Sequence, residues 1–223
     1  RELLDIPVFH DDQHGTAIVV LAALRNALKL VKKDLKSVKI VLSGVGAAGN
    51  AIARLLTLNG ASNIIGFNIN GVIHHEMQSD DAMQQWFIEH SNPQNFKGSI
   101  GEAMASADVF IGVSAPNVLT EADVASMAKG SIVFALANPD PEIDPAIARK
   151  YAAVVATGRS DQPNQINNVL AFPGIFRGLL DANASKISDE MLMAAAEAIA
   201  ECVSPEQLNT SFIVPSVFDP NVV

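Results

Sequence analysis

Two rhythms of hydrophobic and polar positions run through this chain. Short apolar, β-rich runs recur at residues 39–44 ("KIVLSG"), 63–68 ("NIIGFN"), 108–114 ("DVFIGVS"), 131–138 ("SIVFALAN") and 152–157 ("AAVVAT"). Each is bounded by turn residues and predicts a strand buried on both faces. Between them lie stretches with helical spacing. The first spans residues 15–33; its early turns are apolar nearly all round, and Lys29, Lys32 and Lys33 gather in its last turn, where the helix dipole favours cations. "AAGNAIARLLTLNG" follows and stops at Gly60, a good C-terminal signal. Further helices are expected at residues 80–90, 121–128, 145–150, 168–181 and 188–203. The pattern is weak elsewhere between Gly71 and Gly98, and no repeat or low-complexity tract interrupts it. Strands alternating with helices imply βαβ units and a parallel sheet. Right-handed crossovers make that an α/β, doubly wound parallel sheet, whose ligands bind at the carboxyl ends of the strands.

Composition narrows the class. The 223 residues are 49% hydrophobic but only 5% aromatic, so the core must be built from Ala, Val, Ile and Leu. A formal net charge of -9 argues against a nucleic-acid or membrane-surface binder, which needs a basic patch. No uncharged apolar run reaches about 18 residues, so no membrane span is expected. The single cysteine, Cys202, excludes an intrachain disulfide or a cysteine zinc cluster and suits a reducing, cytoplasmic setting. The opening "RELLDIP" does not look like a signal peptide and reads like the middle of a domain.

The strongest chemical signal is "GVGAAG", residues 44–49, between a strand and a helix. This is the context of a Rossmann-type dinucleotide fingerprint. Gly44 permits the tight turn, Gly46 lets backbone approach a pyrophosphate, and Gly49 allows close packing of helix on strand. Ala47 and Ala48 open the helix whose free N–H groups face the anion. The acid expected at the end of the second strand is replaced by Asn68, and no Arg or Lys follows it in "NING". NAD is therefore favoured slightly, with NADP also admitted. Three loops at strand ends are rich in amides and hydroxyls: residues 114–117 ("SAPN"), 137–142 ("ANPDPE") and 157–168. Singly, each reads as an ordinary turn; together they line one sheet edge. Arg159 and Arg177 are candidates to clamp a carboxylate, or members of surface ion pairs.

One stretch, "IPVFHDDQHGTA", places Asp11 and Asp12 side by side between His10 and His14. Adjacent carboxylates repel, so either one of them caps the following helix or both face a cation. The histidines read as packing residues, and a zinc site made of all four is not expected.

These stretches, with "VVATGRSDQPNQINNVLAFPGIFRG" and "IVPSVFDPNVV", resemble the bacterial-type malic enzymes in order and without large gaps. The resemblance implies oxidative decarboxylation of malate to pyruvate with NAD or NADP and Mg²⁺ or Mn²⁺. It implies that Asp12 ligates the metal and that Asp11 lies beside it in the active site. Asn138 and either Asn167 or Asn168 match asparagines that contact malate and nicotinamide, and Ser114 lies on the cofactor side. The metal would polarise the C2 oxygen of the substrate. Residues 1–36 form the leading metal-loop and helix segment of a single cofactor domain, and residues 37–223 its Rossmann core and C-terminal helices. Homodimers are expected.

The same resemblance implies an additional N-terminal domain carrying a lysine base, a tyrosine acid and a Glu-Asp pair of metal ligands. None of these is matched here; Tyr151, the only tyrosine, fits no family motif. Two classes of function follow. One is the cofactor domain of an oxidoreductase, inactive alone; the other is a stand-alone dinucleotide-binding module, regulatory or structural. An amino-acid dehydrogenase sharing the sheet is weakened by the run of malic-enzyme motifs.

Overall fold

The computed structural model describes residues 6–222, so the mid-domain reading of residues 1–5 lies outside the described residues. The chain enters through a π-helical turn, Asp11–Gly15, continuous with α1, Thr16–Val31. The helical run thus starts earlier than the expected residue 15. His10, extended at φ −119° and ψ 119°, holds the N-cap position, and its carbonyl accepts the His14 N–H at 2.8 Å. Asp11 and Asp12 sit in the first turn, where the helix dipole favours negative charge, and neither is the N-cap. The capping alternative is thereby corrected.

Helix α1 has almost no solvent face over its first half, because Ile18, Val19, Val20, Ala22, Ala23 and Leu24 are all fully buried. It packs against two later helices and stops where Lys32 turns left-handed at φ 56°. There the Lys33 N–H reaches back to the Leu28 carbonyl at 3.1 Å. Asp11–Val31 is long and apolar enough to cross a membrane, yet 72% of its most apolar window is buried within the protein itself.

Next come β1 (Lys39–Ser43), α2 (Ala47–Leu58), β2 (Asn63–Asn68), β3 (Gly71–Val72), α3 (Ala82–His90) and α4 (Ile100–Met104). They are followed by β4 (Val109–Gly112), α5 (Glu121–Ala125), β5 (Ile132–Ala135), α6 (Pro145–Ala148) and β6 (Val154–Thr157). A 3-10 turn, Asn168–Ala171, leads into α7 (Phe172–Asp181), and α8 (Asp189–Glu201) comes last among the longer helices.

The six strands form one sheet in the order β3-β2-β1-β4-β5-β6, parallel except for β3. Strand order reverses between β1 and β4, which pair in register from Ile40↔Val109 to Ser43↔Gly112. Successive strand residues feed opposite cores. Leu42, Ile64, Ile111 and Phe134 pack on the side of α1, α2 and α8; Val41, Ile65, Phe110 and Val133 pack on the side of α4, α5 and α6. Burial on both faces explains why these strands are unbroken apolar runs. The fold is the expected doubly wound α/β sheet. Elements beyond the expected ones include the two-residue β3, the short 3-10 turn Pro220–Val222, and α4, which is fixed by a reciprocal capping box between Ser99 and Glu102.

Candidate functional site

The glycine turn lies at the reversal of strand order, the crevice where doubly wound sheets take their ligands. Gly44 has φ +98°, and a Cβ there would lie 2.5 Å from the Val113 carbonyl oxygen. A Cβ on Gly49 would overlap the carbonyl oxygen of Gly44 itself. Gly46 differs: a Cβ there meets nothing within 4 Å. It is the N-cap of α2, no side chain caps that end, and Ala47 and Ala48 follow as its first residues. The glycine whose side is open is the one that the fingerprint assigns to a pyrophosphate, so these residues fit a dinucleotide. The turn is tied to the second strand, since the Gly44 and Val45 N–H groups both donate to the Phe67 carbonyl, at 2.8 and 3.2 Å. Asn68 therefore ends β2 beside the turn. Its side-chain oxygen accepts the Asn70 N–H at 2.8 Å, shaping the short hairpin into β3.

At the neighbouring strand ends, Ser114 follows β4 and Asn138 follows β5, as the sequence reading places them. A residue it did not single out joins them. Glu142 is fully buried. One carboxyl oxygen accepts from the Ser114 N–H at 2.9 Å and its hydroxyl at 3.2 Å, and the other accepts from the Ala137 N–H at 3.0 Å. Burial pushes its pKa up, against the pull of these hydrogen bonds. The Ser114 hydroxyl also shares a 2.8 Å hydrogen bond with that of Ser43, at the end of β1. The only sequence hint of this was an acid closing a proline-rich loop.

The Asp11–Gly15 turn packs against both α2 and the 168–171 turn. Asp11 brings one carboxyl oxygen to within 2.9 Å of where a Cβ on Gly15 would sit, and the Asn168 Cβ lies 3.3 Å from that position. That buried oxygen has no hydrogen-bond partner. Burial raises the Asp11 pKa and the Asp12 charge adds to this, while Asn168 and His10 lower it. Asp12 is exposed. Asn167 and Asn168 part company: the Asn167 side chain accepts the Val169 N–H at 3.0 Å and caps the 3-10 turn, whereas Asn168 faces Asp11. Among the described residues no three His, Cys, Asp or Glu side chains gather to hold a metal, so the described residues alone do not fit one.

His14 takes a packing role: it is buried, its Nδ1 accepts the His10 backbone N–H at 2.8 Å, and its ring lies 5.1 Å from that of Phe9, whereas His10 itself is exposed. Arg159 pairs bidentately with Asp161, at 2.8 and 2.9 Å, and Arg177 pairs with Asp181 at 2.8 Å. Both arginines are the surface ion pairs that the sequence admitted, not free clamps. Tyr151 donates to Glu121 at 2.8 Å on the exposed surface.

The strand order, the glycine turn at its reversal and the polar strand-end loops define a Rossmann-type dinucleotide-binding domain. The sequence profile described as "Malic enzyme, NAD binding domain" matches residues 13–221. The chain belongs to the malic enzyme family. It is 56% identical over all 223 residues to the NAD-dependent malic enzyme of Geobacillus stearothermophilus, covering 47% of that protein. It is 50% identical over 98% of its length to the bifunctional malic/malolactic enzyme of Bacillus subtilis, covering 54%. The crystal structure of malic enzyme from Pyrococcus horikoshii superposes with a TM-score of 0.93 at 44% identity, with 100% of this chain and 53% of that one aligned. The chain thus spans about half the length of these relatives.

Proposed function

We propose that this chain is the cofactor-binding part of an oxidoreductase that decarboxylates malate to pyruvate and CO₂ with NAD(P) and a divalent cation. The observation that carries the reading is the glycine turn, closed at Gly44 and Gly49 but open at Gly46. In this reading the α2 N-terminus holds the pyrophosphate, Asn68 bonds the adenosine ribose, and Ser114 and Asn138 flank the nicotinamide. Asp11 and Asn168 face the substrate; Asn167 orders the turn that carries Asn168. Asp12 supplies one carboxylate to Mg²⁺ or Mn²⁺, which needs about six oxygens in all. Its remaining ligands, and the acid and base, belong to the part of the relatives that this chain does not span.

NAD is the favoured cofactor. The residues after Asn68 offer no cation for a 2′-phosphate, and the 56%-identical relative is named NAD-dependent. A 45%-identical one from Rhizobium meliloti is named NADP-dependent, so the family accommodates both. The lone free Cys202 suits a cytoplasmic location, and the family resemblance supports a homodimer with neither membrane nor nucleic acid as partner.

The decisive experiment is Gly46→Ala, read by NADH titration. A Cβ placed in the open space should weaken NADH binding by about tenfold or more, roughly 1.4 kcal/mol, with the melting temperature unchanged. Wild-type binding in the variant would refute the dinucleotide reading. The 223-residue chain alone should bind NADH yet produce none from malate and NAD; malate-dependent NADH would refute its dependence on a second part.

A further inference from the structure

We propose that Glu142 is a positioning residue that sets the nicotinamide end of the cleft, by holding the loops after β4 and β5 against the end of β1. The inference rests on the dinucleotide reading and names the group that organises one half of that site.

The geometry is a chain of contacts. Glu142 lies over Gly112, the last residue of β4, where any Cβ would collide with the glutamate side chain. From there one carboxyl oxygen takes both donors of Ser114 and the other takes the Ala137 N–H, which precedes Asn138. Backbone bonds lace the same two loops: the Asn117 N–H donates to the Pro141 carbonyl at 3.2 Å, and the Leu119 N–H to the Glu142 carbonyl at 3.1 Å. Ser114 passes the connection to Ser43 at 2.8 Å, one residue before Gly44. A fully buried carboxyl group is costly unless its acceptors are used. Here each oxygen meets a backbone donor from a different loop.

This makes the acid hard to replace. A carboxylate accepts on both oxygens, whereas glutamine offers one acceptor and one donor. In either orientation of the amide, its NH₂ would face the N–H of Ser114 or of Ala137. One loop is then released and left with an unpaired buried donor. The glycine turn packs against the start of the β4 loop but is hydrogen-bonded to Phe67 of β2, and neither loop carries it or Asn68, so the adenosine half of the cleft keeps its shape.

The test compares NADH with ADP-ribose, which lacks the nicotinamide and its pendant carboxamide, by calorimetric titration into wild type and Glu142→Gln. NADH affinity should fall at least about fivefold, roughly 1 kcal/mol, while ADP-ribose affinity stays within about twofold. Equal loss of both ligands would mean a purely structural role and overturn the proposal, as would no loss of NADH. If wild type bound neither ligand, the dinucleotide reading itself would fall instead. Should Glu142→Gln not fold, Ser43→Ala decides: it cuts only the outer link, and the same selective loss of NADH is expected. Unchanged NADH binding in Ser43→Ala would then overturn the proposal.

Discussion

The carbonyl oxygen of Gly44 occupies the place that a Cβ on Gly49 would need. That oxygen is backbone, and the Cβ would be fixed to the backbone of the same tight turn, so neither can move aside as the end of a flexible side chain would. Gly49→Ala should therefore destabilise the domain by about 1–3 kcal/mol, the range for overpacking a close contact. Gly46→Ala, three residues earlier, should change stability by less than about 0.5 kcal/mol. Urea denaturation of the two variants checks this; equal midpoints would show that the turn relaxes more readily than its geometry implies.

Asn68 replaces the carboxylate that rewards an NAD ribose and repels a 2′-phosphate. We expect NAD to be favoured over NADP by roughly tenfold or less, about 1.4 kcal/mol, and Asn68→Asp to sharpen that preference chiefly by weakening NADP. Titration with NADH and NADPH tests both statements. A strong preference of wild type for NADPH would sink the first. His75 is a poor candidate to rescue it, because its Nε2 is held 2.7 Å from the Ser91 carbonyl.

Much of this is legible in the sequence alone. Strands such as Ile132–Ala135 are read easily because both faces are buried, leaving runs of apolar residues that a helix of that length would not need. The glycine turn is legible because its spacing and flanks are backbone constraints. β3 is too short for any periodicity to register. The α4 helix has a visible cap signature, "SIGE", but only five residues behind it. The start of the first helix is hard to read because Gly15 looks like a boundary, whereas it is a position where Asp11 and Asn168 leave little room for a side chain. Glu142 is legible only as an acid closing a proline-rich loop. Its partner Ser114 lies 28 residues away, and only the pairing of β4 with β5 brings them together.

Asp12 is exposed while an oxygen of Asp11 beside it is buried and unpartnered, a division that suits one ligand and one orienting acid. In a protein of the relatives' full length carrying this domain, Asp12→Asn should raise the Mn²⁺ concentration for half-maximal activity by about tenfold or more, as loss of a ligand is expected to exceed the 10–100-fold effects of its supporting groups. A metal titration of malate-dependent NADH formation decides it, and an unchanged requirement would remove Asp12 from the metal site.

Glu142 also makes a prediction about acid. Its folded pKa is raised above the ordinary 4.5 by burial, a cost to the charged form that its hydrogen bonds only partly offset. The stability that this contributes is fully present below about 4.5 and is lost as pH rises through the higher folded value. Plotted against pH, the stability of wild type minus that of Glu142→Gln should therefore grow as pH falls from neutral towards 4.5, then level off. Urea midpoints across that range check the sign. A difference that shrinks with falling pH would mean that the three hydrogen bonds outweigh burial.

The hairpin between β2 and β3 has a consequence for how such a domain changes over time. Ile69 is wholly exposed at its tip, and Gly71, at φ +110°, has open space around it. Replacing Ile69 disturbs no packed neighbour, so that position beside Asn68 is free of the close contacts that lock Gly44 and Gly49, whereas Gly71 is held by its positive φ. In the reading proposed, this is also where the ribose is read. Adaptation of cofactor preference can thus explore charged residues there at little risk to folding, which gives the lineage an evolutionary dial set apart from its rigid frame.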